Sequence, residues 1–118
     1  MSLRGKCHCG ATEFEVSEAP TQLTRCTCTF CSKRGALWAY YRPDQFKLVS
    51  GRDQVQYGEL NKHYHCGVCG CGTYSDTPDW TLEGAETPGR KFGVSARLFE
   101  DFDIDAVPVE LVDGKNLW

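Results

Sequence analysis

A chain of 118 residues is long enough for a modest hydrophobic core, and we expect a single domain spanning residues 1–118. Its formal net charge of -3 argues against a nucleic-acid partner, because binding to phosphates needs a clustered surplus of Lys and Arg. No stretch is as long and apolar as a membrane span, and the start of the chain lacks the apolar segment of a signal peptide. We therefore expect a cytoplasmic protein that binds neither membrane nor nucleic acid.

Cysteine is the most informative residue type, with eight in the chain. Thiols stay reduced in the cytosol, where clustered cysteines bind metal more often than they form disulfides. A bridge between Cys7 and Cys9 would also be strained, since only one residue separates them. These considerations favour metal sites over the alternative, a disulfide scaffold.

The first cysteine motif is Gly5-Lys-Cys7-His-Cys9-Gly10. Glycine tolerates turn conformations, so the flanking glycines would let the backbone curl until both sulfurs face one ion. Apolar and charged residues then alternate from Ala11 to Val16, which predicts a half-buried strand.

The second motif, Cys26-Thr-Cys28-Thr-Phe-Cys31, has three thiols. Zinc held by three protein ligands keeps a fourth position open for water or substrate, whereas a four-cysteine site is closed. We therefore interpret Cys26, Cys28 and Cys31 as the ligands of a catalytic zinc and as the candidate catalytic residues.

Basic residues flank this run at Arg25, Lys33 and Arg34. Guanidinium and ammonium groups bind carboxylates through charge-assisted hydrogen bonds. These three residues are candidate anchors for an anionic substrate, with an ordinary solvated surface as the alternative.

Much of the remaining chain reads as short strands separated by polar turns, which predicts an antiparallel sheet. The predicted strands cover residues 35–41, 46–49, 54–57, 73–75, 92–96 and 107–112. We also expect an exposed loop from Thr77 to Gly89 and a short helical or turn segment from Leu98 to Phe102.

The third motif, Cys66-Gly-Val-Cys69-Gly70, has the spacing of a zinc knuckle. Together with Cys7 and Cys9 it would supply four thiolates and join the beginning of the chain to its middle. Tetrahedral thiolate sites accept zinc or iron, and we favour zinc because no redox-partner motif is present.

Four other potential ligands remain outside this division of the cysteines. We expect Cys71 to be a buried or idle thiol, although it could compete as a ligand, because Cys66 and Cys69 already complete the knuckle. The histidines at positions 8, 63 and 65 are expected to be structural or exposed rather than metal ligands.

These motifs resemble the glutathione-dependent formaldehyde-activating enzyme family, whose domain also occurs in centromere protein V. The resemblance covers nearly the whole chain through residues 5–10, 26–35, 46–51, 64–70 and, more loosely, 93–98. It implies a mainly β fold, a β-tent of antiparallel sheets around a structural zinc. That zinc would be held by Cys7, Cys9, Cys66 and Cys69, and a second, catalytic zinc by the central three cysteines.

The resemblance also implies a carbon-sulfur lyase that condenses glutathione with formaldehyde to an S-hydroxymethyl adduct, a detoxification reaction. Its partners would be a small-molecule thiol and an aldehyde. The chain departs from the family pattern at Cys71, which is additional, and at Thr27 and Thr29, where family members more often carry His or Asn and Ser.

Two other functions stay open at this point. One is a non-catalytic zinc-binding module that interacts with a protein partner. The other is a zinc-stabilised redox protein that uses Cys71 or the central run, although it lacks an obvious nucleophile with a resolving partner. The sequence leaves the substrates and the oligomeric state open.

Overall fold

The computed structural model describes residues 2–51, 54–79 and 89–117. Within these residues the chain forms ten strands and two short α-helices. The strands are β1 (Leu3–Lys6), β2 (Glu13–Val16), β3 (Leu23–Cys26), β4 (Trp38–Tyr41), β5 (Phe46–Ser50), β6 (Gln54–Tyr57), β7 (Lys62–Cys66), β8 (Gly72–Asp79), β9 (Gly89–Ser95) and β10 (Val109–Val112). The helices are α1 (Thr29–Arg34) and α2 (Gly114–Leu117), and neither is long and apolar enough to cross a membrane.

The strands form two sheets. The smaller has the order β1-β2-β5, and the larger has the order β10-β3-β4-β9-β8-β7-β6. The expected fold, mainly β with antiparallel sheets, is confirmed. One pairing, of β10 with β3, is parallel. It arises because the chain returns to the beginning of β3, where the Leu23 N–H donates to the Pro108 carbonyl at 3.0 Å.

The core lies between the two sheets and takes side chains from both. Its largest fully buried side chain, Phe14 of β2, contacts Phe46 and Phe99 with ring centroids 6.1 and 5.8 Å away. Gly5 lies opposite Phe14 in the β1-β2 pair, and a Cβ atom there would come within 2.2 Å of Phe14 Cζ. Gly5 thus makes room for a ring rather than for a turn, whereas Gly10, with φ at 82°, adopts the turn conformation.

The described ends of the loop predicted from Thr77 to Gly89 belong to strands, and Gly89 begins β9. Thr77 belongs to β8, which pairs with β9 as far as Asp79. An ion pair between Arg90 Nε of β9 and Asp76 Oδ1 of β8, 2.8 Å apart, links the two strands. Pro78 is tolerated there because β7 pairs with β8 only as far as Asp76, so no neighbour on that side needs its N–H. Residues 80–88 of the predicted loop lie outside the described residues.

Helix α1 was not predicted from the sequence. The Cys28 Sγ accepts a hydrogen bond from the Cys31 N–H at 3.4 Å and so caps the start of the helix. Gly35 ends it in the left-handed conformation, with φ at 65°, and its N–H bonds back to the last turn. The helix therefore sets the spacing of the last two thiols of the central run.

Candidate functional site

Two turns from distant parts of the chain bring four cysteines together. The first follows β1 and is closed by the Gly10 N–H donating to the Cys7 carbonyl at 3.1 Å. The second follows β7 and is closed by the Gly70 N–H donating to the Cys66 carbonyl at 2.9 Å. The sulfur atoms all lie within 4.8 Å of one another in this four-cysteine cluster, which comprises Cys7, Cys9, Cys66 and Cys69.

The spacing of these sulfurs fits a tetrahedral metal ion. Sulfurs about 2.3 Å from a central zinc form a tetrahedron with edges of about 3.8 Å. The Sγ atoms of Cys7 and Cys9 are 3.7 Å apart, and those of Cys9 and Cys66 are 3.6 Å apart. None of the eight cysteines is in a disulfide. The four-cysteine cluster can therefore hold a metal ion, and four such ligands leave no position for a substrate.

Backbone N–H groups prepare this cluster for a cation. Those of Cys69 and Val68 point at the Cys66 sulfur from 3.5 and 3.4 Å and lower the pKa of its thiol. The backbone N–H groups of Cys71 and Cys9 lower the pKa of Cys69 to about 5. These hydrogen bonds favour the thiolate of Cys69, which is the form that binds metal. Cys9 behaves oppositely: a backbone hydrogen bond from Ala11 lowers its pKa, but loss of solvent and the neighbouring thiols raise it to about 12. The four thiolates together therefore need a cation.

The second group of sulfurs, the three-cysteine cluster, lies where β3 runs into α1. Its members are Cys26, Cys28 and Cys31, whose sulfurs also lie within 4.8 Å of one another. The Cys28 N–H donates to the Cys26 sulfur at 3.4 Å, as the Cys31 N–H does to Cys28. Among the described residues no fourth cysteine, histidine or carboxylate joins them. Cys26 and Cys31 are buried and Cys28 is half-buried, so Cys28 marks the more open side.

The thiols of the three-cysteine cluster differ in acidity. Burial raises the pKa of Cys31 to about 12. Burial also acts to raise the pKa of Cys28, but hydrogen bonds from the Cys31 backbone N–H and from the neighbouring thiols lower it below its ordinary value. Full deprotonation of the cluster therefore needs a cation to offset the cost of three adjacent negative charges.

The C-terminal residues hold the three-cysteine segment in place. The Thr27 N–H donates to the Val112 carbonyl at 2.9 Å, and its hydroxyl donates to Asp113 Oδ1 at 3.0 Å. The Lys115 N–H in turn donates to the Thr27 hydroxyl at 3.2 Å. Thr27, one of the departures from the family pattern, thus fastens the segment between the first two thiols to the end of β10.

A groove with a volume of about 560 Å³ opens between the two clusters. Phe30 and Trp38 pack against the buried sulfurs of the three-cysteine cluster and also line the groove, so they form the wall between them. The opposite end reaches Gly70 and Cys71 of the knuckle. Cys71, the additional thiol, is thus half-buried at the groove rather than inside the four-cysteine cluster.

The basic residues divide between the groove and the open surface. Arg34 lines the groove, and its guanidinium carbon lies 4.8 Å from the centroid of the Phe30 ring. Arg25 and Lys33 are exposed and do not line it. Sequence reasoning missed Arg97, which lines the groove and donates from Nε to the Gly35 carbonyl at 3.2 Å. Its place in the loosely matching segment 93–98 was the available signal.

Two of the three histidines lie at the groove and none is a candidate metal ligand. His63 and His65 both line it, whereas His8 is exposed between the ligands of the first turn. The His63 ring centroid lies 4.2 Å from that of Phe30 and 5.9 Å from that of Trp38. Within the part of the chain that the structure describes, no histidine belongs to either sulfur cluster.

Comparison with known proteins agrees with this geometry. A crystal structure of a Rhodobacter sphaeroides protein is similar, with a TM-score of 0.69 and 28% sequence identity over 91% of this chain and 99% of that chain. Residues 2–89 match the family described as glutathione-dependent formaldehyde-activating enzyme, and this match includes all eight cysteines. The chain therefore belongs to the glutathione-dependent formaldehyde-activating enzyme family.

Proposed function

We propose that the protein is a zinc-dependent carbon-sulfur lyase of the cytoplasm that joins a thiol, glutathione, to a small aldehyde, formaldehyde. The observation that carries the proposal is the three-cysteine cluster, which has no fourth ligand among the described residues and lies beside a groove. The four-cysteine cluster serves folding, since four thiolates close it. The family match supports glutathione and formaldehyde as the substrates.

The reaction moves one proton and changes no oxidation state. The thiol loses its proton, its sulfur attacks the carbonyl carbon, and the carbon-sulfur bond forms as the carbonyl π bond breaks. The oxygen then takes up a proton to give the S-hydroxymethyl adduct. A zinc ion held by Cys26, Cys28 and Cys31 would supply a Lewis acid with one free position, where a thiol is deprotonated more easily.

The groove contributes binding and orientation. Phe30 and Trp38 offer an apolar wall, and Arg34 lies where its guanidinium can bind a carboxylate of glutathione. Holding the thiol beside the aldehyde converts a bimolecular encounter into a reaction within one complex. Arg25 and Lys33 remain candidate anchors outside the groove. Their positive charges are suited to attracting an anionic substrate to the surface rather than to holding it in one position.

Exchange between free formaldehyde and its glutathione adduct, followed by NMR at equilibrium, tests the proposal. Glutathione and formaldehyde combine unaided, so the exchange rate is compared with that in buffer at matched concentrations. We expect wild type to accelerate exchange. Cys28→Ser should fold, retain one metal ion per chain and lose the acceleration, because it removes the most accessible ligand of the three-cysteine cluster.

Two results would contradict the proposal. Wild type with two zinc ions per chain and exchange no faster than buffer would favour the non-catalytic zinc-binding interaction module instead. Cys28→Ser that unfolds or loses both metal ions would refute the separation of a structural from a catalytic cluster.

A further inference from the structure

The groove carries positive charge in a chain that is acidic overall. Arg34 and Arg97 both line it, and no aspartate or glutamate among the described residues does. The ion pairs among those residues involve neither arginine. The chain has 16 acidic side chains against 13 basic ones, so carboxylates are not scarce. A groove that keeps two guanidiniums and no acid is suited to an anionic ligand.

Arg34 is held at one position in the groove by the contacts of its guanidinium. The guanidinium carbon lies over the Phe30 ring, 4.8 Å from its centroid, and a Cβ atom added at Gly72 would lie 3.2 Å from Nη2. The side chain thus reaches from the last turn of α1 toward the beginning of β8. Burial and, secondly, the positive charge of Arg34 lower the pKa of His63 below its ordinary value, so this histidine is mainly neutral at pH 7. The charge of the groove therefore comes from its arginines.

Arg97 is held at a second position by a different contact. Its Nε donates to the Gly35 carbonyl at 3.2 Å, which fixes the direction of the guanidinium. Among the residues that the structure describes, its two terminal nitrogens have no hydrogen-bond partner. Guanidinium N–H groups bind carboxylates with defined geometry, and the terminal nitrogens are available to do so. Because the two arginines are anchored by different neighbours, each can bind a carboxylate of its own.

We propose that Arg97 is a second carboxylate anchor and that, with Arg34, it makes the groove select thiols that carry two carboxylates. The inference rests on the proposed function, which places one carboxylate of glutathione at Arg34. Glutathione has a carboxylate at each end and its thiol on the middle residue, so both ends can be bound while the thiol projects out of the groove. Phe30 and Trp38 separate the groove from the buried sulfurs. The groove therefore holds the ends of the substrate and is not the place where the carbon-sulfur bond forms.

Binding of S-methylglutathione to the zinc-loaded protein, measured by calorimetry, tests the inference without any reaction, because the methyl group blocks the thiol. Loss of one charge-assisted hydrogen bond weakens binding about tenfold. Arg34→Ala and Arg97→Ala should each raise the Kd about tenfold, and the double variant about a hundredfold. Arg42→Ala is the matched control and should bind as wild type does. It changes the net charge equally but removes an exposed arginine that is already paired with Asp44 at 3.2 Å.

The glycine monoethyl ester of S-methylglutathione shows whether the two arginines bind separate carboxylates. With one carboxylate blocked, one of the two alanine variants should bind the ester as tightly as wild type does. The other should still bind it about tenfold more weakly than wild type. If both variants lose the same affinity for the ester as for the diacid, the arginines attract anions only through their general charge, and the inference is overturned.

Arg97→Gln separates a ligand contact from a structural one. Its amide can still donate to the Gly35 carbonyl but carries no charge, so it should bind S-methylglutathione as weakly as Arg97→Ala does. Wild-type affinity in either variant would overturn the inference. Metal content and melting temperature close to those of wild type in Arg97→Gln show that the loss is not one of folding. If both Arg97 variants lose metal or melt well below wild type, Arg97 is a structural residue and the inference falls.

The two proposals can fail separately. Wild type that binds S-methylglutathione with this dependence on the arginines, yet does not accelerate exchange, would overturn the proposed function and leave the dicarboxylate site standing. Wild type that accelerates exchange, with a KM for glutathione unchanged in Arg97→Ala, would overturn the inference alone.

Discussion

Replacement of Gly5 by alanine tests how the smaller sheet is built. The added Cβ would lie 2.2, 2.6 and 2.8 Å from three atoms of the Phe14 ring, and Phe14 is fully buried, so the ring has no free space to enter. Forcing one methyl into a filled core costs about 1–3 kcal/mol. At about 4 °C per kcal/mol for a domain of this size, Gly5→Ala should melt about 4–12 °C below wild type.

Gly5→Ala should also weaken metal binding. Strand β1 ends at Lys6, directly before Cys7, so a β1 that moves away from β2 carries the first cysteine turn away from the knuckle. The measurements are thermal unfolding of the zinc-loaded protein by circular dichroism and zinc release to a colorimetric chelator. Gly72→Ala is the matched control, because its Cβ would meet only the mobile end of Arg34, at 3.2 Å.

A double variant, Phe14→Leu with Gly5→Ala, tests whether the Phe14 ring is what excludes a side chain at position 5. Phe14→Leu removes part of the ring that the alanine strikes, so the cost of Gly5→Ala should shrink in that background. The double variant should be more stable than the sum of the single costs predicts, with a coupling of about 0.5–3 kcal/mol. Strictly additive costs, or Gly5→Ala that melts with wild type, would show that Phe14 does not exclude a side chain at position 5.

Three further predictions concern the clusters and the groove. Cys69→Ser should give unfolded or insoluble protein without metal in the four-cysteine cluster, because zinc binding supplies on the order of 10 kcal/mol of folding energy in small zinc domains. On acidification the three-cysteine cluster should release its metal first, since three thiolates hold an ion less firmly than four against competing protons. The thiol of highest pKa does not separate the clusters, because the pKa values of Cys31 and of Cys9 are both raised to about 12. Arg34→Ala should raise the KM for glutathione about tenfold, the loss of about 1.5 kcal/mol from a charge-assisted hydrogen bond, and Lys33→Ala should raise it less.

Each of these predictions has a result that contradicts it. Cys69→Ser that keeps two metal ions and melts normally would remove the structural role of the four-cysteine cluster. Release of both zinc ions from wild type in a single step would refute weaker metal binding by the three-cysteine cluster. The same conclusion would follow if wild type began to release zinc at the pH at which Cys28→Ser does. An equal KM for glutathione in Arg34→Ala and wild type would show that Arg34 does not bind the glutathione carboxylate.

The assignment of the cysteines to a four-cysteine and a three-cysteine cluster could be predicted from sequence, because each pair or run of ligands lies within a few residues of the chain. One turn holds Cys7 and Cys9, another holds Cys66 and Cys69, and ligand counting alone suggests that two pairs close one tetrahedron. Strand β2 was equally accessible, because alternation of Phe14 and Val16 with charged residues is a short-range pattern.

The groove was not predictable in the same way. Trp38, His63 and Arg97 are far apart in sequence and meet only because β4, β9, β8 and β7 lie side by side in the larger sheet. His63 looked like any histidine on an alternating strand until its neighbours were known. Strand β3 and helix α1 are four and six residues long, and their local preferences are too weak to reveal elements that tertiary contacts stabilise.

The hydrogen bonds from Thr27 to residues 112–115 have a consequence for biosynthesis. Domains emerge from the ribosome N-terminus first, so the thiols at positions 26, 28 and 31 leave the exit tunnel long before β10 exists to hold them. The four cysteines of the other cluster all lie before position 70, so each of its ligands has been translated before β10. Under the proposed function, the structural ion therefore has its full set of ligands before the three-cysteine segment gains the hydrogen bonds that hold it in place. The site proposed to perform chemistry is completed only when translation has reached Lys115.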